Sequence, residues 1–81
     1  MNRSEILAAL TAIFQDVFDT PDLVVTDDTT ADDIEEWDSM NHITLIVAAE
    51  RKFGVKFKTA EIEELKNVGE FVDLIAAKLG G

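Results

Sequence analysis

The sequence predicts an all-α fold: an antiparallel four-helix bundle of three long helices and one short helix, with a long loop between helices one and two. Three features point to it. Apolar residues recur at helical spacing in separate stretches, residues suited to capping stand where each helix would begin, and no two alternating runs are available to pair as a sheet. The 81 residues are expected to form a single domain, 1–81, around one modest core.

Helix one is expected over about residues 3 to 18, where Ile6, Leu7, Leu10, Ile13, Phe14, Val17 and Phe18 share a face. Asn2 and Glu5 make a capping-box-like pair at its start. Pro21 and Thr26-Asp27-Asp28-Thr29-Thr30 then break the period, leaving a connection of about twenty residues, longer than most helix-to-helix loops. Leu23, Val24, Val25, Ile34 and Trp37 are expected to anchor this loop across the core, with a short helical turn between Asp32 and Glu36.

Asp38 suits the N-cap of helix two and puts Ser39 at its first position. That helix should end at Phe53, because Arg51 and Lys52 favour the negative end of the helix dipole and Gly54 suits a left-handed stop. Phe53 to Lys58 alternates like a strand, yet a single short run without a partner reads as an extended connector. Thr59 is expected to cap the short third helix. Asn67, spaced from Glu70 as in a capping box, begins a fourth that Gly80-Gly81 releases. The core is expected from Leu7, Leu10, Phe14, Val17, Ile43, Leu45, Ile46, Ala49, Phe53, Phe57, Ile62, Leu65, Phe71, Val72 and Ile75.

With 17 acidic and 7 basic side chains the formal charge is −10, although 47% apolar residues are enough to fold. That charge argues against nucleic acid, which requires clustered Lys and Arg, and against anionic membrane surfaces. No run of about 18 apolar residues is present to cross a bilayer. Basic protein surfaces are the natural partners, and a monomer is expected. No cysteine is present, so a disulfide framework and a thiolate zinc site are both ruled out. The N-terminus opens directly into an amphipathic pattern, and the reading is cytoplasmic.

Candidate function centres on Trp37-Asp38-Ser39-Met40. Seven carboxylates and no basic residue lie between Asp27 and Asp38, and the apolar run Ile43 to Ala49 follows. A serine hydroxyl attacks little without an adjacent base, and the sequence offers no convincing one, which fits a modified serine better than a catalytic one. A helix start would give a phosphodiester unpaired N–H groups and the positive dipole end. The plain alternative is an ordinary helix-start serine.

Asp38, Ser39 and His42 are the residue types of a hydrolytic triad. Asp38 is expected to cap the backbone, however, His42 to face solvent, and so short a chain has little room for an oxyanion hole. A calcium loop started at Asp27 or Asp28 lacks Gly at its sixth position and Glu at its twelfth, and no metal site is expected. The ending Leu79-Gly80-Gly81 is like that of a ubiquitin-like modifier, but the strands of such a fold are missing.

Taken with its surroundings, this stretch makes the whole chain resemble an acyl carrier protein. Asp38-Ser39-Met40 is similar to the family's Asp-Ser-Leu attachment motif. The apolar helix closing in Glu50-Arg51-Lys52-Phe53-Gly54 and the Asn67-Val68-Gly69 entry to the last helix extend the likeness. The resemblance implies a non-catalytic carrier: 4′-phosphopantetheine, taken from coenzyme A, on Ser39, with acyl groups held as thioesters on its thiol. It also implies partners: a phosphopantetheinyl transferase (holo-carrier synthase), an acyl-activating ligase or acyltransferase, and condensing enzymes of fatty acid, polyketide or related biosynthesis. Asp38 and Met40 inherit docking roles, with Asn41, Val47, Glu50, Arg51 and Lys52 along the same helix.

The chain departs from the family pattern in that helix. Carriers of fatty acid synthesis usually stud it with carboxylates, whereas the positions expected to be exposed here are Asn41, His42, Thr44, Arg51 and Lys52, with only Glu50 acidic. Glu36-Trp37 stands where peptidyl carriers typically have paired glycines, so acyl cargo is favoured over aminoacyl or peptidyl cargo. A chain running from Met1 to the end of the bundle resembles a discrete carrier. Small Ala48 and Ala49 are expected to leave space for an acyl chain. An acidic helical adaptor without a prosthetic group remains the other reading of the same fold.

Overall fold

The computed structural model describes residues 2–80; Met1 and Gly81, the latter expected to help release the last helix, lie outside the described residues. Four α-helices follow in order: α1 (Arg3–Val17), α2 (Ser39–Phe53), α3 (Thr59–Glu63) and α4 (Val68–Lys78), with a single 3₁₀ turn at Ala31–Asp33 in the first loop. The expected four-helix arrangement is present, and α1 packs against both α2 and α4. No strand occurs among the described residues, and no helix is long and apolar enough to cross a membrane.

α1 begins where the side chain of Asn2 accepts the Glu5 amide at 2.8 Å and Glu5 reaches back to the Asn2 amide at 2.9 Å, so two amides at the helix start are satisfied reciprocally. At its other end Asp19 adopts a left-handed conformation (φ 52°). Thr20 N–H bonds Gln15 O at 3.0 Å and Asp19 N–H bonds Asp16 O at 3.3 Å, closing the helix in a Schellman pattern. Aspartate is among the few non-glycine residues that enter this region readily.

Because α1 lies between two helices, its buried stripe is centred on Ile6, Leu10, Ile13 and Phe14. Leu7 and Val17, expected in the core, are only half-buried at its margin.

The first loop crosses the bundle as expected. Phe18, Val25, Ile34 and Trp37 are buried, but Val24 is 75% exposed. Extended backbone sends successive side chains to opposite sides, so burying Val25 turns Val24 outward. The helical turn falls at Ala31–Asp33, ahead of the expected position, because Asp33 Oδ2 accepts the Thr30 amide at 3.0 Å and fixes its start.

Two carbonyls of this loop cap α4. Thr29 O accepts the Val68 amide at 2.8 Å and Asp27 O accepts the Gly69 amide at 2.9 Å. Asn67 Oδ1 takes the Glu70 amide at 2.8 Å, so the first three amides of α4 are all satisfied. Arg3 fastens the same corner, donating to Asp73 at 2.9 Å, to Asp27 at 3.3 Å and to Gly69 O at 3.3 Å. Its two carboxylate partners raise the Arg3 pKa still further.

α2 ends as expected, with Gly54 left-handed (φ 68°) and Glu50 O accepting the amides of both Gly54 (2.8 Å) and Val55 (3.2 Å). Its inward face is Leu45, Ile46, Ala49 and Phe53. Ile43, expected in the core, is 55% exposed, because that inward face places residue 43 on the other side of the helix. Ala49 is fully buried.

α3 begins one residue differently from expectation. Thr59 is its first helical residue rather than its cap, because Glu61 Oε1 reaches back to the Lys58 amide at 2.8 Å. Glu61 also pairs with Lys78 at 3.0 Å, and Phe57 meets Phe71 edge-on at 5.7 Å, which together tie α3 and the segment before it to α4. Phe57, Ile62 and Leu65, expected in the core, are half-buried at its edge.

Two outcomes test this framework. A Cβ built on Gly69 would lie 2.9 Å from Asp27 O, so Gly69→Ala should lower stability by about 1–2 kcal/mol in a denaturant titration, despite alanine's better helix propensity. The Lys58 amide, followed by Lys78, holds the Glu61 carboxyl below its ordinary pKa, so its contribution is present above the unfolded-state pKa and is lost as pH falls through the lowered folded value. The thermal-stability gap between wild type and Glu61→Gln should therefore close on acidification, measured by circular dichroism at stepped pH.

Candidate attachment site at the start of α2

Asp38 takes extended backbone angles (φ −105°, ψ −175°), and the helix begins at the next residue. Its Oδ1 accepts the Asn41 amide at 2.8 Å and its carbonyl accepts the His42 amide at 2.8 Å. Ser39, as expected, is the first helical residue and is exposed. The amides of Ser39 and Met40 meet no acceptor among the described residues, so two N–H groups remain at the positive end of α2 beside the hydroxyl. Asn41 donates to Glu36 O at 2.6 Å and fastens the loop to the helix start.

Trp37 forms the floor of the site. Its indole is 9% exposed, meets Phe14 edge-on at 5.1 Å, and donates from Nε1 to His42 Nδ1 at 3.0 Å. The imidazole lies nearly parallel to the indole, tilted by 26° with centroids 6.0 Å apart. His42 is therefore half-buried, where solvent exposure was expected: a neighbouring indole needs an acceptor, and His42 supplies it. Asn41 is half-buried for a similar reason, its amide being held by the loop.

These bonds also dispose of a hydrolytic relay. Asp38 is engaged with the backbone rather than with His42, and His42 Nδ1 accepts from Trp37, which leaves the ring proton on Nε2, so neither group is a free base for Ser39 Oγ.

A cavity of about 610 Å³ opens beside Ser39. Trp37, Ser39, His42 and Ile43 line it from the α2 side, and Thr59, Ile62, Leu65 and Lys66 from α3 and the segment after it. Ala48 and Ala49, expected to provide the space, do not line it; the room lies nearer the serine, where α3 stands off from α2. A second cavity, of about 460 Å³, is walled by Glu61, Glu64, Glu70 and Asp73 together with leucines. No group of acidic or imidazole side chains among the described residues is arranged to hold a metal ion.

Along α2 the outward face carries Met40 (81% exposed), Ile43 and Val47 at helical spacing, with Arg51 and Lys52 exposed in the last turn. Ile43 is thus on this outward face rather than in the core, where the sequence places it. Glu50 is half-buried, with Oε2 accepting the Phe57 amide at 2.8 Å.

The family model described as a phosphopantetheine attachment site matches residues 8–75. An acyl carrier protein of Acidothermus cellulolyticus is 37% identical over 76 residues, spanning 94% of this chain and 90% of that protein. One of Thermosynechococcus vestitus is 39% identical over 80 residues, 98% of each. The solution NMR structure of a holo acyl carrier protein from Geobacter metallireducens superposes with a TM-score of 0.87 at 47% identity, covering 93% of this chain and 86% of that one. In sequence along nearly its whole length, and in the helical fold that sets Ser39 at the head of α2, the chain belongs to the acyl carrier protein family, whose prosthetic group is 4′-phosphopantetheine.

Proposed function

We propose that Ser39 carries 4′-phosphopantetheine and that the chain is a discrete, single-domain, monomeric carrier of the cytoplasm with no catalytic activity of its own. The observation that carries this reading is the exposed Ser39 hydroxyl at the first position of α2, beside two unpaired amides and a cavity. These residues fit the group: a phosphodiester there gains N–H donors and the helix dipole, and the cavity has apolar surface from Ile43, Ile62 and Leu65 for an acyl chain. When bound, the group supplies a thiol on which acyl cargo is held as a thioester.

Loading requires a phosphopantetheinyl transferase. Ser39 Oγ bonds the phosphorus of coenzyme A that bears pantetheine, the phosphoanhydride breaks, the adenosine bisphosphate half leaves, and the serine proton passes to a base of the transferase. An acyl-activating ligase or acyltransferase then charges the thiol, and condensing enzymes of fatty acid, polyketide or related biosynthesis use it.

The docking surface on this reading begins at Asp38, Met40 and Asn41, continues through Ile43 and Val47, and ends at Glu50, Arg51 and Lys52. Met40, Ile43 and Val47 present an apolar stripe to a partner. The charges at the two ends differ in sign, acidic before Ser39 and basic beyond Glu50, so the partner surface that fits best is itself basic at one end and acidic at the other.

Incubation with coenzyme A and a phosphopantetheinyl transferase should raise the intact mass by one phosphopantetheine, and Ser39→Ala should abolish the gain. No gain with several transferases would overturn the reading. Reversing Arg51 and Lys52 to Glu should slow acyl transfer by cognate enzymes several-fold, most at low salt. Unchanged rates at every ionic strength would remove the basic end from the docking surface.

A further inference from the structure

The chain's only histidine and only tryptophan are bonded to each other one helical turn from Ser39. We propose that His42 is a positioning residue for the prosthetic arm, its Nε2–H donating to the phosphodiester that joins the arm to Ser39. The inference rests on the assignment of Ser39 as the attachment point.

Trp37 Nε1–H donates to His42 Nδ1 at 3.0 Å. A neutral imidazole has one N–H, so with Nδ1 accepting, the proton resides on Nε2. The indole in turn is held by burial against Phe14, so the imidazole has little freedom to rotate.

Placement follows. Residues three apart on a helix share a face, and helical side chains lean toward the N-terminus, so His42 covers the turn that begins at Ser39. Both residues line the same cavity. No acceptor for Nε2 occurs among the described residues, and none of their partly or fully buried side chains leaves a polar atom both buried and unpaired, so Nε2 reaches solvent on a residue that lines the cavity.

Charge supplies the need. Glu35, Glu36 and Asp38 precede the serine and Glu63 lines the facing wall, while Lys66 is the one cation lining the cavity. An added phosphodiester anion enters a surrounding short of donors. The amides of Ser39 and Met40 supply two, and His42 Nε2–H supplies a third on the cavity side.

The test compares wild type, His42→Gln and His42→Phe, each loaded by the transferase and checked by intact mass. Glutamine can still accept from Trp37 and donate to the phosphate; phenylalanine does neither. In wild type, loading should shift the Nε2 nitrogen resonance of the single histidine while Nδ1 keeps the signature of an unprotonated acceptor. In His42→Phe the phosphorus resonance should move toward that of the loaded wild type in denaturant, where the same phosphodiester has no protein partner, and His42→Gln should recover most of the native wild-type position.

A loaded protein whose histidine nitrogens match those of the unloaded form overturns the proposal and leaves the carrier assignment intact. So does a phosphorus resonance that is the same in all three proteins. Should His42→Phe fail to fold, the loaded and unloaded wild type decide the question with His42→Gln. Failure of every variant and wild type to gain mass overturns both readings together.

Discussion

The start of α4 is secured by the backbone of a loop some forty residues earlier in the chain. Val68 and Gly69 give their amides to Thr29 O and Asp27 O, and Asn67 takes the next. Leaving such a donor buried and unpaired costs about 1–3 kcal/mol, so the acidic loop has a fixed course rather than a choice of courses. The approach is close enough that only glycine fits at position 69. Arg3 then ties α1 to this corner through exposed ion pairs whose stabilising effect is screened by salt. A loop thus anchored at Asp27 and Thr29 delivers Trp37, Asp38 and Ser39 to one place.

From that anchor the site acquires its rigidity by a chain of contacts. Trp37 packs on Phe14, which also meets Phe18 edge-on at 5.5 Å, and the indole N–H holds His42. Asp38 and Asn41 lock the junction between loop and helix from both sides. α2 is left with two faces of different purpose: Leu45, Ile46, Ala49 and Phe53 belong to the core, whereas Met40, Ile43 and Val47 are kept in water. Sustained exposure of three large apolar groups on one stripe is what a surface for partners requires.

The helices were legible because their ends are written in local chemistry. Asn2, Asp38, Gly54 and Asn67 each act on a neighbour within a few residues, and their effects are visible in sequence. Ile43 was not legible: with apolar residues on both sides of Thr44, which face of the helix turns inward depends on how α1 meets α2. Val24 and Val25 are the same residue type side by side, separated only by the alternation of a backbone whose course is set at Asp27 and Thr29. Thr59 lost its expected capping place to Glu61, whose second bond comes from Lys78 far along the chain. His42 was missed for a related reason, since the bond that defines it depends on the loop bringing Trp37 back over the helix. The room beside Ser39, expected near Ala48 and Ala49, depends on the spacing between α2 and α3, and no local signal records that distance.

α3 is five residues long and buries none of its side chains fully, well short of the roughly 12–15 residues at which a helix is stable by itself. It nevertheless forms one wall of the cavity beside Ser39, opposite an α2 wall backed by the whole core. The enclosure therefore has one stiff side and one compliant side. Its compliance is set by a few contacts of Phe57 with Phe71 and of Glu61 with Lys78. The width of the space therefore rests on a short helix at the edge of the core, whereas the position of its serine rests on the core itself.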